Sequence, residues 1–120
     1  MTKPISGDQL FTFTIPAGGG ASEAIKVPGY GLIEIKTPAA WTSSAAIVPE
    51  LSHDNVSFSP LYDSLGNAVT VAADANRMIR LDVALFWGAR YLRFKAGNQA
   101  SARACSVRGV PLNGGALNLF

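Results

Sequence analysis

The feature that most limits what this chain can become is a period of two, repeated in short bursts. Residues 10–15 read LFTFTI, with Phe11, Phe13 and Ile15 on one face and Thr12 and Thr14 on the other. Residues 30–36 read YGLIEIK and place Ile33 and Ile35 inward, Glu34 and Lys36 outward. Residues 91–96 put Leu92 and Phe94 in and Tyr91, Arg93 and Lys95 out. A burst of about four to eight such residues is a half-buried strand, because successive side chains leave opposite faces. Turn chemistry separates the bursts: Pro16 to Gly20, Pro28-Gly29, Thr37-Pro38, Asp54-Asn55, Leu65 to Asn67 and Gly97-Asn98. Turns at roughly 8–12-residue spacing, with no alternation of strands and long helices, predict an all-β fold. The expectation is an antiparallel β-sandwich, jelly-roll-like, of about eight or nine short strands.

The remaining segments fit that plan. Residues 23–27 form a second strand, stopped by Pro28-Gly29. Residues 46–52 form another, although Pro49 removes a ladder donor and so points to an edge or a bulge. Val56 and Phe58 alternate with Ser57 and Ser59, Val69 and Val71 point inward, and Ile79 and Leu81 oppose Arg80. The segment 82–89, DVALFWGA, breaks the period. Asp82 can cap a helical turn and Gly88 can end it, giving a short helical link that carries Phe86 and Trp87. Residues 101–110 form the last long strand, with Cys105 and Val107 on one face. Trp41, just after the Pro38 corner, is expected to plug one end of the core and reach a loop carbonyl with its N–H. Trp41, Phe58 and Tyr62 are all expected to be core or corner residues.

Length sets the organisation: 120 residues make one domain large enough for a core of its own. Its expected limits are an N-terminal arm over 1–9, the sandwich over 10–111 and an apolar tail over 112–120. Charged residues are only 15% of the chain against 48% hydrophobic, where soluble domains carry about 25% charge. Part of the surface is therefore expected to be covered by another chain. The charges are also split, with three cations against six anions in residues 1–70 and seven against two in 71–120. A sandwich interleaves these halves, so ion pairs and solvated positions account for them. One cysteine excludes an intrachain disulfide. No apolar leader opens the sequence, and no apolar run approaches the ~20 residues of a membrane span.

Catalytic machinery is not expected. The lone histidine, His53, lies in a turn, and Cys105 sits on an inward strand face between Ala104 and Ser106. A Cys105–His53 dyad is conceivable in principle, but nothing beside the thiol would activate it. Two residues of zinc-ligating type are too few for a zinc site. Asp54, Asn55, Asp63, Asn67, Asp74 and Asn76 match no calcium loop and serve as ordinary turn formers. No metal and no cofactor is expected. The three glycines at 18–20 lack the Lys-Ser/Thr that a phosphate-binding loop requires. Tyr91, Arg93 and Lys95 on one strand are too little for a nucleic-acid surface. Exposed aromatics, Trp87 and Tyr91 above all, would suit stacking on sugar rings.

The stretch PAAWTSSAAIVPELSHDNVSFSPLYDSLGNAVTV, followed by RMIRLD and YLRFKAG, resembles small proteins encoded in tailed-phage genomes and prophages. The shared pattern is an Ala-Trp-Thr corner, a strand, and a hairpin running through Ser-x-Asp, Phe-x-Pro-Leu-Tyr-Asp and Gly-Asn. It covers Pro38 to about Gly97, and Asn55 stands where a glycine is expected in the hairpin turn. The resemblance implies a virion structural protein, of the capsid decoration, cement or head spike-base type. It would be made in the host cytoplasm and carried on the virion. The expected partners are other virion proteins, the major capsid protein first, with the chain itself a trimer or pentamer and no membrane or nucleic acid involved. Contacts are expected from Lys3, Ile5 and Asp8 of the arm and Leu117, Leu119 and Phe120 of the tail. The alternative is a carbohydrate-binding adhesion module on a head fibre, tail or baseplate, and an enzyme is the third choice.

Overall fold

A computed structural model describes residues 7–42 and 45–111. The arm up to residue 6 and the tail from residue 112 lie outside the described residues, and with them Lys3, Ile5, Leu117, Leu119 and Phe120.

Nine strands and one helical turn follow in order: β1 (Gln9–Ile15), β2 (Gly20–Ala21), β3 (Ile25–Lys26), β4 (Tyr30–Lys36), β5 (Ile47–Ser52), β6 (Ser59–Pro60), β7 (Met78–Arg80), α1 (Val83–Phe86), β8 (Tyr91–Ala96) and β9 (Arg103–Pro111). One sheet has the order β1-β9-β4-β7. The other runs β2-β8-β5-β6, with β3 also on β8, and every pairing between these strands is antiparallel. The chain therefore crosses repeatedly between the sheets, and early strands pair with late ones. That nested pairing of β1 with β9, and of β2 and β3 with β8, is the path of a jelly roll.

The core lies between the sheets and is built by the alternation. Phe13 and Ile15 of β1, Val107 of β9, Leu32 and Ile35 of β4 face Ile47 of β5 and Leu92 and Phe94 of β8, all fully buried. The rings of Phe13 and Phe94 meet across the gap, centroids 4.4 Å apart and tilted by 31°. Trp41 is buried at the margin and its Nε1–H donates to the Ala45 carbonyl at 3.1 Å. The predicted helical link is present: Asp82 caps it, accepting from the Ala84 N–H at 3.2 Å, and Gly88 follows at φ +79°.

Four expectations are corrected. In β4 the inward residues are Leu32 and Ile35, while Ile33 is only half-buried. The pairing with β9 slips between Leu32 and Glu34, and this bulge lets residues three apart share a face. The strand read over 23–27 is shorter, Ile25–Lys26, and Gly20–Ala21 pairs separately with β8. Between them the buried Ser22 keeps contact with β8: its N–H reaches the Phe94 carbonyl at 2.7 Å and its Oγ accepts from the Phe94 N–H at 3.0 Å. Pro49 is not on an edge strand, since β5 pairs with both β8 and β6. Its carbonyl accepts from Leu61 N–H, so the missing donor faces the side where β6 is only two residues long. Val56 is exposed and Phe58 half-buried, because the segment after Ser52 is a loop and not a strand.

Candidate functional site

Two places on the described surface depart from a plain polar exterior. The first is the outer face of the four-stranded sheet. Alternation sends Leu10 (β1), Ser106 and Arg108 (β9), Glu34 and Lys36 (β4), and Met78 and Arg80 (β7) to this side. Its charges bind one another. Glu34 accepts from Arg80 at 2.7 Å through Oε1 and from Arg108 at 2.9 Å through Oε2, and Arg108 also pairs with Asp8. The Arg108 hydrogen bond above all holds the Glu34 carboxyl below the ordinary range, against the cost of burial and with help from Arg80. Arg108 is raised in turn by Glu34 and then Asp8. Lys36 is turned aside, donating to Asn76 Oδ1 at 3.0 Å and to the Thr37 carbonyl at 2.7 Å. Between these tethered charges lies a shallow, largely apolar hollow of about 240 Å³, lined by Leu10, Glu34, Lys36, Met78, Ser106 and Arg108. Leu10 and Met78 are 58% and 60% exposed. Asp8, expected as a partner contact, stands at the margin of this face.

The second place is the end of the sandwich where β5 finishes and β8 begins. Ser52 pairs with Tyr91, and the Val27 N–H reaches the Arg90 carbonyl at 2.8 Å. The β3–β4, β5–β6 and α1–β8 connections therefore gather there. Two hollows, of about 370 and 450 Å³, share Leu51, Ser52 and His53. Asp54, Ser57, Ser59 and Tyr62 contribute to the first, and Trp87, Gly88, Ala89 and Arg90 to the second.

Side-chain-braced turns shape this region. Asp54 Oδ1 accepts from the Val56 and Ser57 N–H groups at 2.9 and 3.0 Å and from the Ser52 hydroxyl at 2.9 Å. These bonds, the Ser57 amide first, pull the Asp54 carboxyl down to about 2. Asp63 repeats the device, accepting from the Leu65 and Asn67 N–H groups, each at 2.9 Å. The Asn67 amide leads in holding its carboxyl low, against desolvation. Each turn presents an apolar residue to solvent, Val56 at 79% and Leu65 at 84% exposed.

The residues named from sequence fall in different places. Trp87 is exposed and lines the second hollow, whereas Tyr91 is half-buried on β8 and lines neither. Tyr62, expected as a core or corner residue, is exposed at the first hollow. The hairpin it opens, closed by the Tyr62–Ala68 bridge, stands off the edge of the sheet. Phe58 lies under the Arg93 guanidinium, 4.5 Å from ring centroid to Cζ, while Arg93 Nε donates to the buried Glu50 at 2.6 Å. No sequence pattern signals that trio, because it joins β5, β8 and a loop.

Cys105 and His53 are not brought together. Cys105 is buried in β9, its Sγ directed at the Arg103 carbonyl, and burial pushes the thiol up to about 11. His53 is exposed in the loop after β5, on the other sheet. Among the described residues no group of three or more His, Cys, Asp or Glu could hold a metal ion, and no helix is long and apolar enough to cross a membrane. No family model, curated protein or solved structure matches the chain.

Proposed function

We propose that this chain is a bacteriophage virion structural protein, of the capsid decoration, cement or head spike-base type, that works by protein–protein contact. The observation that carries this reading is the outer face of the four-stranded sheet. Leu10 and Met78 stand exposed around an apolar hollow, while the charges that would normally hydrate such a face are consumed by Glu34, Arg108, Arg80 and Asp8 among themselves. Exposed apolar side chains gain when a partner covers them, and mutual pairing offsets part of the desolvation cost of the charges beside them. The low charge content of the whole chain and the resemblance of residues 38–97 to small tailed-phage proteins support the same reading.

The occupant of this face is a neighbouring virion protein, the major capsid protein first, and the chain repeats around a symmetry axis as a trimer or pentamer. Catalysis plays no part in the reading. Mass spectrometry of gradient-purified particles from an induced culture of the encoding strain tests it, the expected result being the chain at a copy number stoichiometric with the capsid protein. Particles that lack it refute the assignment. Light scattering on the purified chain adds a second check. Leu10→Asp with Met78→Asp is expected to abolish particle binding while leaving the circular dichroism spectrum unchanged.

A further inference from the structure

The two hollows at the β5–β8 end are built differently from the sheet face. Each lies within the ~300–1,000 Å³ range of small-molecule sites, at about 370 and 450 Å³. They share Leu51, Ser52 and His53, and each has an exposed aromatic in its lining, Tyr62 at 57% in one and Trp87 at 54% in the other. Exposed rings set among polar side chains differ from a protein-docking patch, whose centre is apolar and whose rim is polar.

The backbone that carries both rings is held by hydrogen bonds. Trp87 stands between the buried Phe86 and Ala89, and the Ala89 N–H closes the turn on the Phe86 carbonyl at 3.2 Å. Tyr62 is fixed by its bridge to Ala68 and by the Leu61 N–H bond to Pro49 at 3.0 Å. Asp54 Oδ1 is taken up by its own loop, which pins the carboxylate, while Oδ2 has no partner among the described residues. The His53 ring and the Arg90 guanidinium make no hydrogen bond or ion pair among the described residues.

We propose that this double hollow binds a neutral oligosaccharide, one sugar ring stacked on Tyr62 and a neighbouring ring on Trp87. A pyranose has a face of C–H groups and a rim of hydroxyls, so it needs apolar aromatic surface beside fixed donors and acceptors. Asp54 Oδ2 accepts from hydroxyls in the first hollow, and in the second Arg90 donates while His53 donates or accepts. One carboxylate and one guanidinium cancel, which favours an uncharged ligand. Two adjoining hollows with one aromatic each require at least two sugar units. A hydrogen-bonded backbone under both rings lowers the ordering cost that binding must overcome. This site does not depend on the particle-contact reading, which concerns the other sheet.

The test uses the intact chain. A glycan array and saturation-transfer NMR, with neutral hexose di- to tetrasaccharides beside sialylated and sulfated ones, identify a binder, and titration calorimetry measures it. The expected result is saturable binding of a neutral oligosaccharide, weaker for its monosaccharide. Trp87→Ala and Tyr62→Ala should each weaken it about tenfold, and Tyr91→Ala should leave it unchanged. Both wall residues are exposed, so thermal melts should show the variants folded. A shift of the Trp87 indole N–H on binding is the direct spectroscopic mark. No neutral glycan bound at millimolar concentration, binding restricted to acidic glycans, or affinity indifferent to both wall variants would each overturn the proposal.

Discussion

The contact between Phe13 and Phe94 joins the two sheets across the core, and its strength can be worked out. Both side chains are fully buried, one on β1 and one on β8, with ring centroids 4.4 Å apart. Phe→Leu removes three carbons, which at ~0.8 kcal/mol per buried carbon comes to about 2 kcal/mol from burial alone for each single variant. If the rings met nothing of one another, the double variant would cost the sum, about 4 kcal/mol. Aromatic pairs contribute about 0.5–1.5 kcal/mol beyond area burial. Each single variant loses this pair contribution as well, for a total of about 3 kcal/mol, whereas the double loses it only once and should cost about 5 kcal/mol, about 1 kcal/mol less than the sum of the singles. A domain in the middle of the ~5–15 kcal/mol range of stability survives this and remains measurable. Urea unfolding followed by tryptophan emission provides the readout, because the buried Trp41 moves into water. Wild type, both singles and the double complete the cycle. Additivity within about 0.3 kcal/mol would show that the rings do not couple across the core.

Three further outcomes are expected. Gly18 and Gly19 share φ +87°, but a Cβ on Gly18 meets nothing within 4 Å whereas one on Gly19 would lie 2.6 Å from the Gly97 carbonyl oxygen. Gly19→Ala should therefore melt several degrees below Gly18→Ala, and equal melting temperatures would exclude the close approach of the two loops. Asp54 has a folded pKa of about 2, below its ordinary value of 3.8, so its contribution to loop order is complete above the unfolded pKa. That contribution fades as pH falls from about 4 towards 2. Carbon-13 NMR of the Asp54 carboxyl should show a midpoint near 2, with the Val56 and Ser57 amides following it, and an ordinary midpoint would contradict the braced turn. Cys105, raised to about 11 by burial, should react with iodoacetamide at pH 8 about 100-fold more slowly in the folded chain than in urea. Equal rates would mean that the thiol is accessible.

The period of two made the strands legible because each side chain's face follows from its parity alone. Asp82 and Gly88 marked the helical turn, and the Trp41 N–H found its carbonyl as expected. Where parity failed, a backbone irregularity was responsible. The bulge at Ile33 exchanges one inward residue for another without changing composition. The segment after Ser52 alternates in sequence but is held as a loop by Asp54 and Asn55, the latter at φ +62°. The site was legible only in part. Trp87 stood out as an aromatic at the end of the helical link, just before Gly88, but the aromatic of the adjoining hollow is Tyr62, 25 positions earlier, and no local pattern joins them. Pro-Leu-Tyr-Asp reads as readily as buried strand as it does as the base of a projecting hairpin.

The β1–β9 pairing carries a mechanical consequence. Gln9 lies opposite Gly109, and Pro111 lies opposite Tyr30, so the two ends of the sandwich emerge side by side from adjacent strands. A pull applied between those ends opens the ladder like a zipper, one rung after another from Gln9–Gly109 to Ile15–Arg103, and meets little resistance. A pull applied across the broad flank of the same sheet loads all seven rungs together. A protein wired in this way holds firmly when gripped by its side and yields when tugged by its tails.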